Sequence, residues 1–346
     1  MKTLMTRRTW FVLPLLVLFV FLSSLTVRGA TIQDEQNVPR LSPSVPALAG
    51  TITEYPLPKI YSQPAYITTG PDGNLWFTES LSDLIGTITP TGQISERQVG
   101  GMSSPEGITR GPHGTLWFTE FNTNKIGRIV IAKGGIAITL FSLPSAGSPL
   151  GITNGPDGNL WFTEEAGNRI GKITPRGRVT EYALPNTDSL PYSITTGSDG
   201  NLWFTEYYGN RIGKITPAGV ITEYTVPTTN SEPMGITHGP KGTDLLWFTE
   251  RYGNRIGTIT TGGTITEYQV PTANSYPNDI APGPDGNFWF TEEAGNQIGR
   301  ITLQGSITEY PIPTAYSSPE GITRGPDGNL WFTEFDGNNI GKITPY

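Results

Sequence analysis

The feature that most constrains this chain is a ten-residue segment that recurs seven times. Its clearest copy, residues 325–334, reads Gly-Pro-Asp-Gly-Asn-Leu-Trp-Phe-Thr-Glu. One tryptophan marks each copy: Trp76, Trp117, Trp161, Trp203, Trp247, Trp289 and Trp331. Successive tryptophans are 41, 44, 42, 44, 42 and 42 residues apart. A nearly fixed period of this length indicates an array of one supersecondary unit.

Each repeat contains four short strand patterns, which we call a, b, c and d. In the last repeat, strand a covers 321–323, strand b covers 330–334 and strand c covers 340–344, and the upstream segment 307–310 shows the pattern of strand d. The Pro-Asp-Gly-Asn segment between a and b favours a tight turn, because proline presets φ and glycine accepts positive φ. Four strands in about 42 residues are typical of one blade of a β-propeller. We therefore predict an all-β, seven-bladed β-propeller with four antiparallel strands per blade.

The two ends of the repeat array complete each other. The chain stops at Tyr346, where the seventh strand d would begin, and a spare strand d pattern at 51–55 precedes the first strand a. We predict that this N-terminal strand closes the last blade, which would cover two sheet edges that are otherwise open to aggregation. The predicted propeller spans residues 50–346.

The N-terminal region has a different composition. Three basic residues precede an apolar run at 10–22, so residues 1–30 are predicted to be a signal peptide. An uncleaved membrane anchor is the alternative, because the apolar run is long for a signal peptide. Residues 31–49 are Pro-rich and polar and are interpreted as a linker. We expect a secreted monomer with no stable membrane insertion once the leader is cleaved.

Composition and charge exclude several kinds of site. The chain has no cysteine, so it has no disulfide, no thiolate metal site and no cysteine nucleophile. Its formal net charge is −7, and loss of the leader with its four basic residues would take it to −11. An acidic protein repels phosphates, so we predict that nucleic acid is not a partner.

Strand direction places the start of each strand a and the end of each strand b on the same face of the ring, which we call the mouth. The Asp-Gly-Asn turns then lie on the opposite, far face. The residue after the proline that opens each strand a varies from blade to blade, while its frame repeats. These residues are Ala65, Glu106, Leu150, Tyr192, Met234, Asn278 and Glu320. Variation over a repeated scaffold is where we expect a functional site.

The mouth is also expected to carry acidic and aromatic side chains. Each strand b ends in an acid, and these are Glu79, Glu120, Glu164, Glu206, Glu250, Glu292 and Glu334. Such a ring would attract a cation, unless each acid makes a structural hydrogen bond to a neighbouring blade. The predicted ligand-binding residues are Tyr192, Met234, Tyr207, Tyr252, Phe335 and Glu106, and the alternative is that they pack on adjacent blades.

Two carboxylates at the mouth are candidates for chemistry. Glu106 and Glu320, with Glu120 and Glu334, are predicted either to hold one divalent cation or to work as an acid/base pair. The alternative is that they are solvated or locally hydrogen-bonded acids. The chain's two histidines, His113 and His238, are both expected away from the mouth, with surface or packing roles.

The frame Gly-Ile-Thr-x-Gly-Pro-Asp-Gly-Asn-Leu-Trp-Phe-Thr-Glu, followed by Gly-Asn-x-Ile-Gly-x-Ile-Thr and Ile-Thr-Glu-Tyr, resembles that of the streptogramin B (virginiamycin B) lyases over essentially residues 50–346. The resemblance implies a seven-bladed, Mg²⁺-dependent enzyme that opens a cyclic depsipeptide antibiotic by elimination, and hence antibiotic resistance. It also implies functional histidines at the positions of Asn278 and Glu320, and a metal-linked acid at the position of Ser318. The acid that ends the last strand b is retained as Glu334.

The sequence therefore supports two main hypotheses. In the first, the chain acts on a small cyclic peptide or lactone, with Glu320 and Asn278 at the catalytic positions, Glu320 as the base, and Mg²⁺ held by Glu334 and Glu320. In the second, it is a non-catalytic extracellular propeller that binds a ligand at the same mouth. A third reading, a calcium-dependent lactonase of the gluconolactonase type, requires a dedicated acid cluster, whereas the acids here are spread evenly around the ring.

Overall fold

The structure, a computed structural model, describes residues 49–346. The predicted signal peptide and residues 31–48 of the predicted linker lie outside the described residues. Within the described part of the chain, the regular elements are 28 β-strands and one short 3-10 turn, Pro112–Gly114. No helix in residues 49–346 is long and apolar enough to cross a membrane.

The strands form seven four-stranded antiparallel sheets, which confirms the predicted fold. The chain opens with β1 (Ile52–Pro56). Blade 1 contains β2 (Pro64–Thr69), β3 (Leu75–Glu79), β4 (Leu84–Ile88) and β5 (Ile94–Gln98). Blade 2 contains β6 (Pro105–Arg110), β7 (Thr115–Glu120), β8 (Lys125–Ala132) and β9 (Gly135–Ser142). Blade 3 contains β10 (Pro149–Asn154), β11 (Leu160–Glu164), β12 (Arg169–Ile173) and β13 (Val179–Ala183).

The remaining blades repeat the same order. Blade 4 contains β14 (Pro191–Thr196), β15 (Leu202–Glu206), β16 (Arg211–Ile215) and β17 (Ile221–Thr225). Blade 5 contains β18 (Pro233–His238), β19 (Leu245–Glu250), β20 (Arg255–Thr260) and β21 (Ile265–Gln269). Blade 6 contains β22 (Pro277–Pro282), β23 (Phe288–Glu292), β24 (Gln297–Ile301) and β25 (Ile307–Pro311). Blade 7 contains β26 (Pro319–Arg324), β27 (Leu330–Glu334) and β28 (Asn339–Ile343), and its fourth strand is β1.

The N-terminal strand closes the ring, as predicted. Strand β1 pairs antiparallel with β28, with Ile52 opposite Ile343 and Tyr55 opposite Ile340. The outer edge of β28 is therefore covered by the chain's own beginning, which removes an exposed edge that another chain could pair with.

The core lies between adjacent blades. Each interface combines the strand b tryptophan of one blade with the strand b phenylalanine of the next: Trp331 of blade 7, for example, packs with Leu75 and Phe77 of blade 1. The turn aspartate also supports the tryptophan, since Trp331 Nε1 donates to Asp327 Oδ1 at 3.0 Å. These buried rings supply large apolar contacts between neighbouring sheets.

The glycine of each Ile-Gly pair makes its close contact with a residue of its own blade. Gly341, for example, lies opposite Phe332 on the paired strand of the same sheet. A Cβ at Gly341 would lie 2.1 Å from the Phe332 ring. The glycine therefore makes room for the phenylalanine that fills the interface.

In blades 2 to 7, a buried threonine joins the inner strand to the inner strand of the next blade, whereas Thr78 of blade 1 donates to the Tyr66 carbonyl of its own blade. In blade 7, the Thr333 hydroxyl accepts a hydrogen bond from Gly321 N–H at 2.9 Å and donates one to the Ala65 carbonyl of blade 1 at 2.7 Å. Thr163, Thr205, Thr249 and Thr291 donate to the next blade in the same way, at 2.6–2.7 Å. The hydroxyl thus uses its donor and acceptor capacity at once, in a site without solvent.

We predict that Thr333→Val lowers the free energy of unfolding by about 2 kcal/mol or more, because it leaves a buried N–H and a buried carbonyl without partners. Thr333→Ser keeps the hydroxyl and should lose clearly less. Chemical denaturation of both variants measures the difference. A valine variant as stable as the serine variant would show that this hydroxyl does not hold blade 7 to blade 1.

Candidate functional site

A β-bulge shapes the start of every inner strand. In blade 7, Pro319 pairs with Glu334 and Ile322 pairs with Phe332, so Glu320 and Gly321 together face the single residue Thr333. The same register shift occurs in the other six blades. Bulges re-aim side chains and are common next to functional sites. The variable residue after each proline is therefore the first of two bulge residues.

The residue before each of these prolines has a left-handed backbone. These residues are Gln63, Ser104, Ser148, Leu190, Glu232, Tyr276 and Ser318, with φ between 47° and 55°. Residues before proline disfavour helical conformations, so the loop must be held from outside. The holding contact in blade 7 is the Asn296 side chain of blade 6, whose Oδ1 accepts from Ser317 N–H at 2.7 Å.

The structure separates the predicted ligand-binding residues by exposure. Glu106 and Met234 are buried, at 5% exposure each. Tyr192, Tyr207 and Phe335 are half-buried, and Tyr252 is 54% exposed. Of these, Tyr192 and Tyr207 come together, with ring centroids 6.3 Å apart. Whether these residues bind a ligand stays a prediction.

The candidate catalytic positions lie in blades 6 and 7. Asn278 is 5% exposed, and its carbonyl accepts from the Thr249 hydroxyl at 2.6 Å. Glu320 is half-buried, and its carbonyl accepts from the Thr291 hydroxyl at 2.7 Å. The buried threonines therefore fix the backbone at both positions, while the Glu320 side chain keeps some access to solvent.

An arginine at the mouth was missed by the sequence analysis. Arg251 follows the last residue of β19, and its guanidinium lies 2.9 Å from Glu293 and 3.8 Å from Glu232. It also lies over the rings of Tyr252 and Tyr276, at 5.3 and 4.8 Å from their centroids. The position after each strand b glutamate varies from blade to blade, and this variation was the signal that could have found it.

The strand b acids do not form an open ring of carboxylates. All seven are buried, with exposures of 0% or 1%. Glu164 and Glu206 pair with arginines of their own blades, Arg169 and Arg211, at 2.9 and 2.8 Å, rather than with a neighbouring blade. Burial raises the pKa of Glu164 and Glu206 to about 7. These acids are therefore part of the blade interior rather than a charged lining of the mouth.

Three of the seven acids have still higher pKa values. Burial raises the pKa of Glu250, Glu292 and Glu334 to about 8, and in each case an acid on the outermost strand of the same blade adds to the shift. For Glu334 this second acid is Glu54. A carboxyl group with such a pKa is mostly protonated at neutral pH.

The residues proposed to hold Mg²⁺ fit it poorly. Glu334 is fully buried, and its Oε2 accepts from Asn339 Nδ2 at 2.9 Å. Magnesium prefers ionised oxygen ligands, and Glu334 has a pKa of about 8. Among residues 49–346, no group of three or more His, Asp or Glu residues is placed to hold a metal ion. Mg²⁺ at Glu334 and Glu320 therefore stays a prediction.

A second set of side chains enters the central channel. The second bulge residue is glycine in four blades, but it is Tyr66, Ser193 and Asp279 in blades 1, 4 and 6. These three residues line a cavity of about 130 Å³. Asp279 accepts two backbone hydrogen bonds, from Ile280 N–H at 2.8 Å and from Ile322 N–H of blade 7 at 3.0 Å. None of these three residues is among the predicted site residues, which end at the position before them.

Both histidines lie away from the mouth. His113 is in the 3-10 turn between β6 and β7. His238 is the exposed last residue of β18, at the end of the strand that is opposite the mouth. Neither is placed near Asn278 or Glu320 by the strand topology.

The sequence and the fold match one family. The family model of the virginiamycin B lyases matches residues 31–245 and 199–346. A solved streptogramin B lyase is 43% identical, with a TM-score of 0.80 over 85% of this chain and 97% of that chain. Selenomethionine-substituted virginiamycin B lyase from Staphylococcus aureus is also 43% identical, with a TM-score of 0.79 over 85% of this chain and 99% of that chain.

A further solved structure bears on the site. It is a catalytically inactive histidine-to-alanine variant of virginiamycin B lyase from Staphylococcus aureus with quinupristin, with the same identity, TM-score and coverage as the selenomethionine form. Hydrazine synthase of Kuenenia stuttgartiensis, at 15% identity and a TM-score of 0.69, shows a likeness of fold alone. No curated protein sequence matches this chain.

We predict that the protein becomes less stable as the pH rises through neutrality. The pKa of Glu250 and Glu292 is about 8 in the folded state against a usual value of 4.5. The folded state therefore binds these protons more tightly than the unfolded chain, and its advantage, complete below 4.5, is lost as the pH rises through 8. The Tm should fall by several degrees between about pH 5.5 and about pH 9, as measured by circular dichroism.

The variant Glu250→Gln/Glu292→Gln should flatten this pH dependence, because neither amide can ionise. Asp244→Asn, at an exposed position in the turn before β19, is the control and should leave the slope unchanged. A wild-type Tm that rises with pH over this range would contradict the prediction.

Proposed function

Because the chain belongs to the virginiamycin B lyase family, we propose that it is a secreted, monomeric propeller that binds a small cyclic peptide or lactone at its mouth and opens the ring by breaking a C–O bond. The observation that carries this proposal is the match of sequence and fold to the family over the whole propeller. Secretion is supported by the signal-peptide pattern at residues 1–30.

Glu320 is the proposed general base. It occupies the first bulge position of blade 7, is half-buried, and has a backbone fixed by the Thr291 hydroxyl. Its carboxylate would take a proton from the carbon next to a carbonyl, the electron pair would form a C=C bond, and the C–O bond of the ester would break without water. Asn278, in the adjacent blade, cannot take a proton near neutral pH, and its proposed role is to orient the substrate.

Mg²⁺ would act as a Lewis acid on the substrate carbonyl if it is bound. The donor set described above fits this ion poorly, so we assign no step of the reaction to it. The dependence of activity on Mg²⁺ is left to the assay.

A second function, binding without catalysis, is favoured by one specific observation. Both histidines of the described chain lie away from the mouth. The related Staphylococcus aureus enzyme is described as catalytically inactive when a histidine is replaced by alanine. The same mouth, with Tyr192 and Tyr207 close together, would then serve ligand binding alone.

The test is to incubate the full chain with quinupristin, with Mg²⁺ or with EDTA. Elimination opens the ring without a change in mass, whereas hydrolysis adds one water, and chromatography with mass spectrometry separates the two. We expect ring opening by elimination and a loss of about 100-fold or more in Glu320→Gln. Asp244→Asn should keep the wild-type rate.

Three outcomes would change the proposal. Unchanged ring opening in Glu320→Gln would reject this residue as the base. A product heavier by one water would reject elimination. No ring opening in any condition, together with saturable quinupristin binding, would replace the lyase proposal with the binding one.

A further inference from the structure

The second bulge position in the central channel carries a side chain in three blades and glycine in the other four. Glycine at the second bulge position is favoured by close backbone contact: a Cβ at Gly107 would lie 2.3 Å from the Leu150 carbonyl oxygen, and one at Gly151 would lie 2.6 Å from the Tyr192 carbonyl oxygen. In blades 1, 4 and 6 this position is occupied instead by Tyr66, Ser193 and Asp279. A tyrosine, a serine and an aspartate thus bring hydroxyl and carboxyl groups to a position that is glycine in the other four blades.

The cavity beside these residues is amphipathic. The apolar part of its lining includes isoleucines of four inner strands, Ile67, Ile108, Ile152 and Ile194, whose side chains also pack in the cores between the blades. Its polar groups come from Tyr66, Ser193 and Asp279, and its lining contains no lysine and no arginine. The volume of about 130 Å³ is close to that of engineered cavities of about 150 Å³ that bind benzene.

Asp279 supplies an electron-rich group at this cavity. Each of its two oxygens accepts one backbone N–H, so each keeps a further lone pair for a ligand. Burial raises its pKa to about 6, which leaves the group ionised at neutral pH. A carboxylate without a basic side chain in the cavity lining favours a cationic partner and repels an anion.

Tyr66 adds a second polar group. Its hydroxyl is buried, and the Tyr192 phenol lies within hydrogen-bonding reach beside it. Burial raises the pKa of Tyr66 well above 10, and Tyr192, Glu106 and Asp279 add to the shift. The phenol is therefore neutral, with an oxygen that can accept a hydrogen bond and a ring face that can attract a cation.

We propose that the central channel binds the protonated amino group of a small organic amine, with Asp279 as its counter-charge, Tyr66 as a hydrogen-bond acceptor, and the isoleucine walls around its hydrocarbon part. The apolar walls favour an organic cation over a bare metal ion, and the described residues offer no three-ligand acid or histidine group. Asp279 and Tyr66 have no role in the proposed ring-opening reaction, although Asp279 directly follows Asn278 in the chain.

The test compares n-butylamine with its neutral counterpart 1-butanol, each titrated into the full chain and followed by calorimetry and ligand-observed NMR. We expect butylamine to bind at least about tenfold more tightly than 1-butanol at neutral pH, because only the amine carries the charge and the donors that Asp279 accepts. MgCl₂ is a third arm, and the expected result is that it does not displace the amine.

The variants assign the binding to the channel. Asp279→Asn should weaken butylamine binding about tenfold or more and leave 1-butanol unaffected. Tyr66→Phe removes only the hydroxyl, so it tests the site even if Asp279→Asn fails to fold, and it should weaken the amine by a smaller factor. Asp244→Asn is the matched control, and its affinity should equal that of the wild type.

The pH dependence supplies a further readout. Butylamine affinity should fall as the pH drops through about 6 in the wild type, and it should be flat in Asp279→Asn. Tyr66 lies with Asp279 in the cavity lining, Tyr192 and Glu106 act on Tyr66, and Glu320 lies on the neighbouring strand β26. Glu106→Gln and Glu320→Gln should keep the transition near pH 6, which assigns it to Asp279.

Equal affinity for amine and alcohol, or amine binding that Asp279→Asn and Tyr66→Phe both leave unchanged, would overturn the proposal. Displacement of the amine by Mg²⁺ at similar concentration would replace it with a metal site. Since none of these measurements uses the ring-opening reaction, a failure here is distinguishable from a failure of the proposed lyase function.

Discussion

The buried threonine hydroxyl between adjacent inner strands is the contact on which the rest of the ring depends. It accepts from the N–H of its own blade and donates to the carbonyl of the next, as Thr333 does between Gly321 and Ala65. Both backbone groups belong to bulge residues and lack a partner in the regular ladder of their own sheet. Without the hydroxyl they would be buried and unpaired, which is why the bulge and the threonine recur together.

This arrangement explains how one scaffold presents different chemistry in each blade. The threonine bonds to the backbone of the bulge residue and leaves its side chain unconstrained by the ladder. Asn278 and Glu320 therefore occupy equivalent positions with equivalent backbone support but differ in charge. The second bulge residue is more restricted, because glycine there lies against the backbone of the next blade, and a larger residue such as Tyr66 or Asp279 stands out for that reason.

The sequence predicted the fold well, because the strand patterns repeat and their ends are marked by turn residues. Closure by β1 followed from counting strands, and the register of Ile52 with Ile343 bears it out. The sequence predicted the site less well, because burial depends on neighbours from other strands. The position of Glu334 at the end of a strand suggests an exposed side chain. In the folded protein, however, Asn339 and Glu54 pack around its carboxyl group. The contacts of Arg251 likewise could not be predicted, because its partners Glu293 and Tyr276 are distant from it in the sequence.

The negative charge at the mouth is smaller than the formal charge of the chain indicates. The formal charge of the chain counts every carboxyl group as ionised. Glu250, Glu292 and Glu334, with pKa values near 8, are mostly neutral at pH 7, so they add little negative potential however close they lie to a ligand. Asp279, with a pKa of about 6, is ionised under the same conditions. The mouth therefore carries less negative potential than its number of carboxyl groups indicates, and the ionised Asp279 carboxylate at the central channel is the group that the proposed amine site uses.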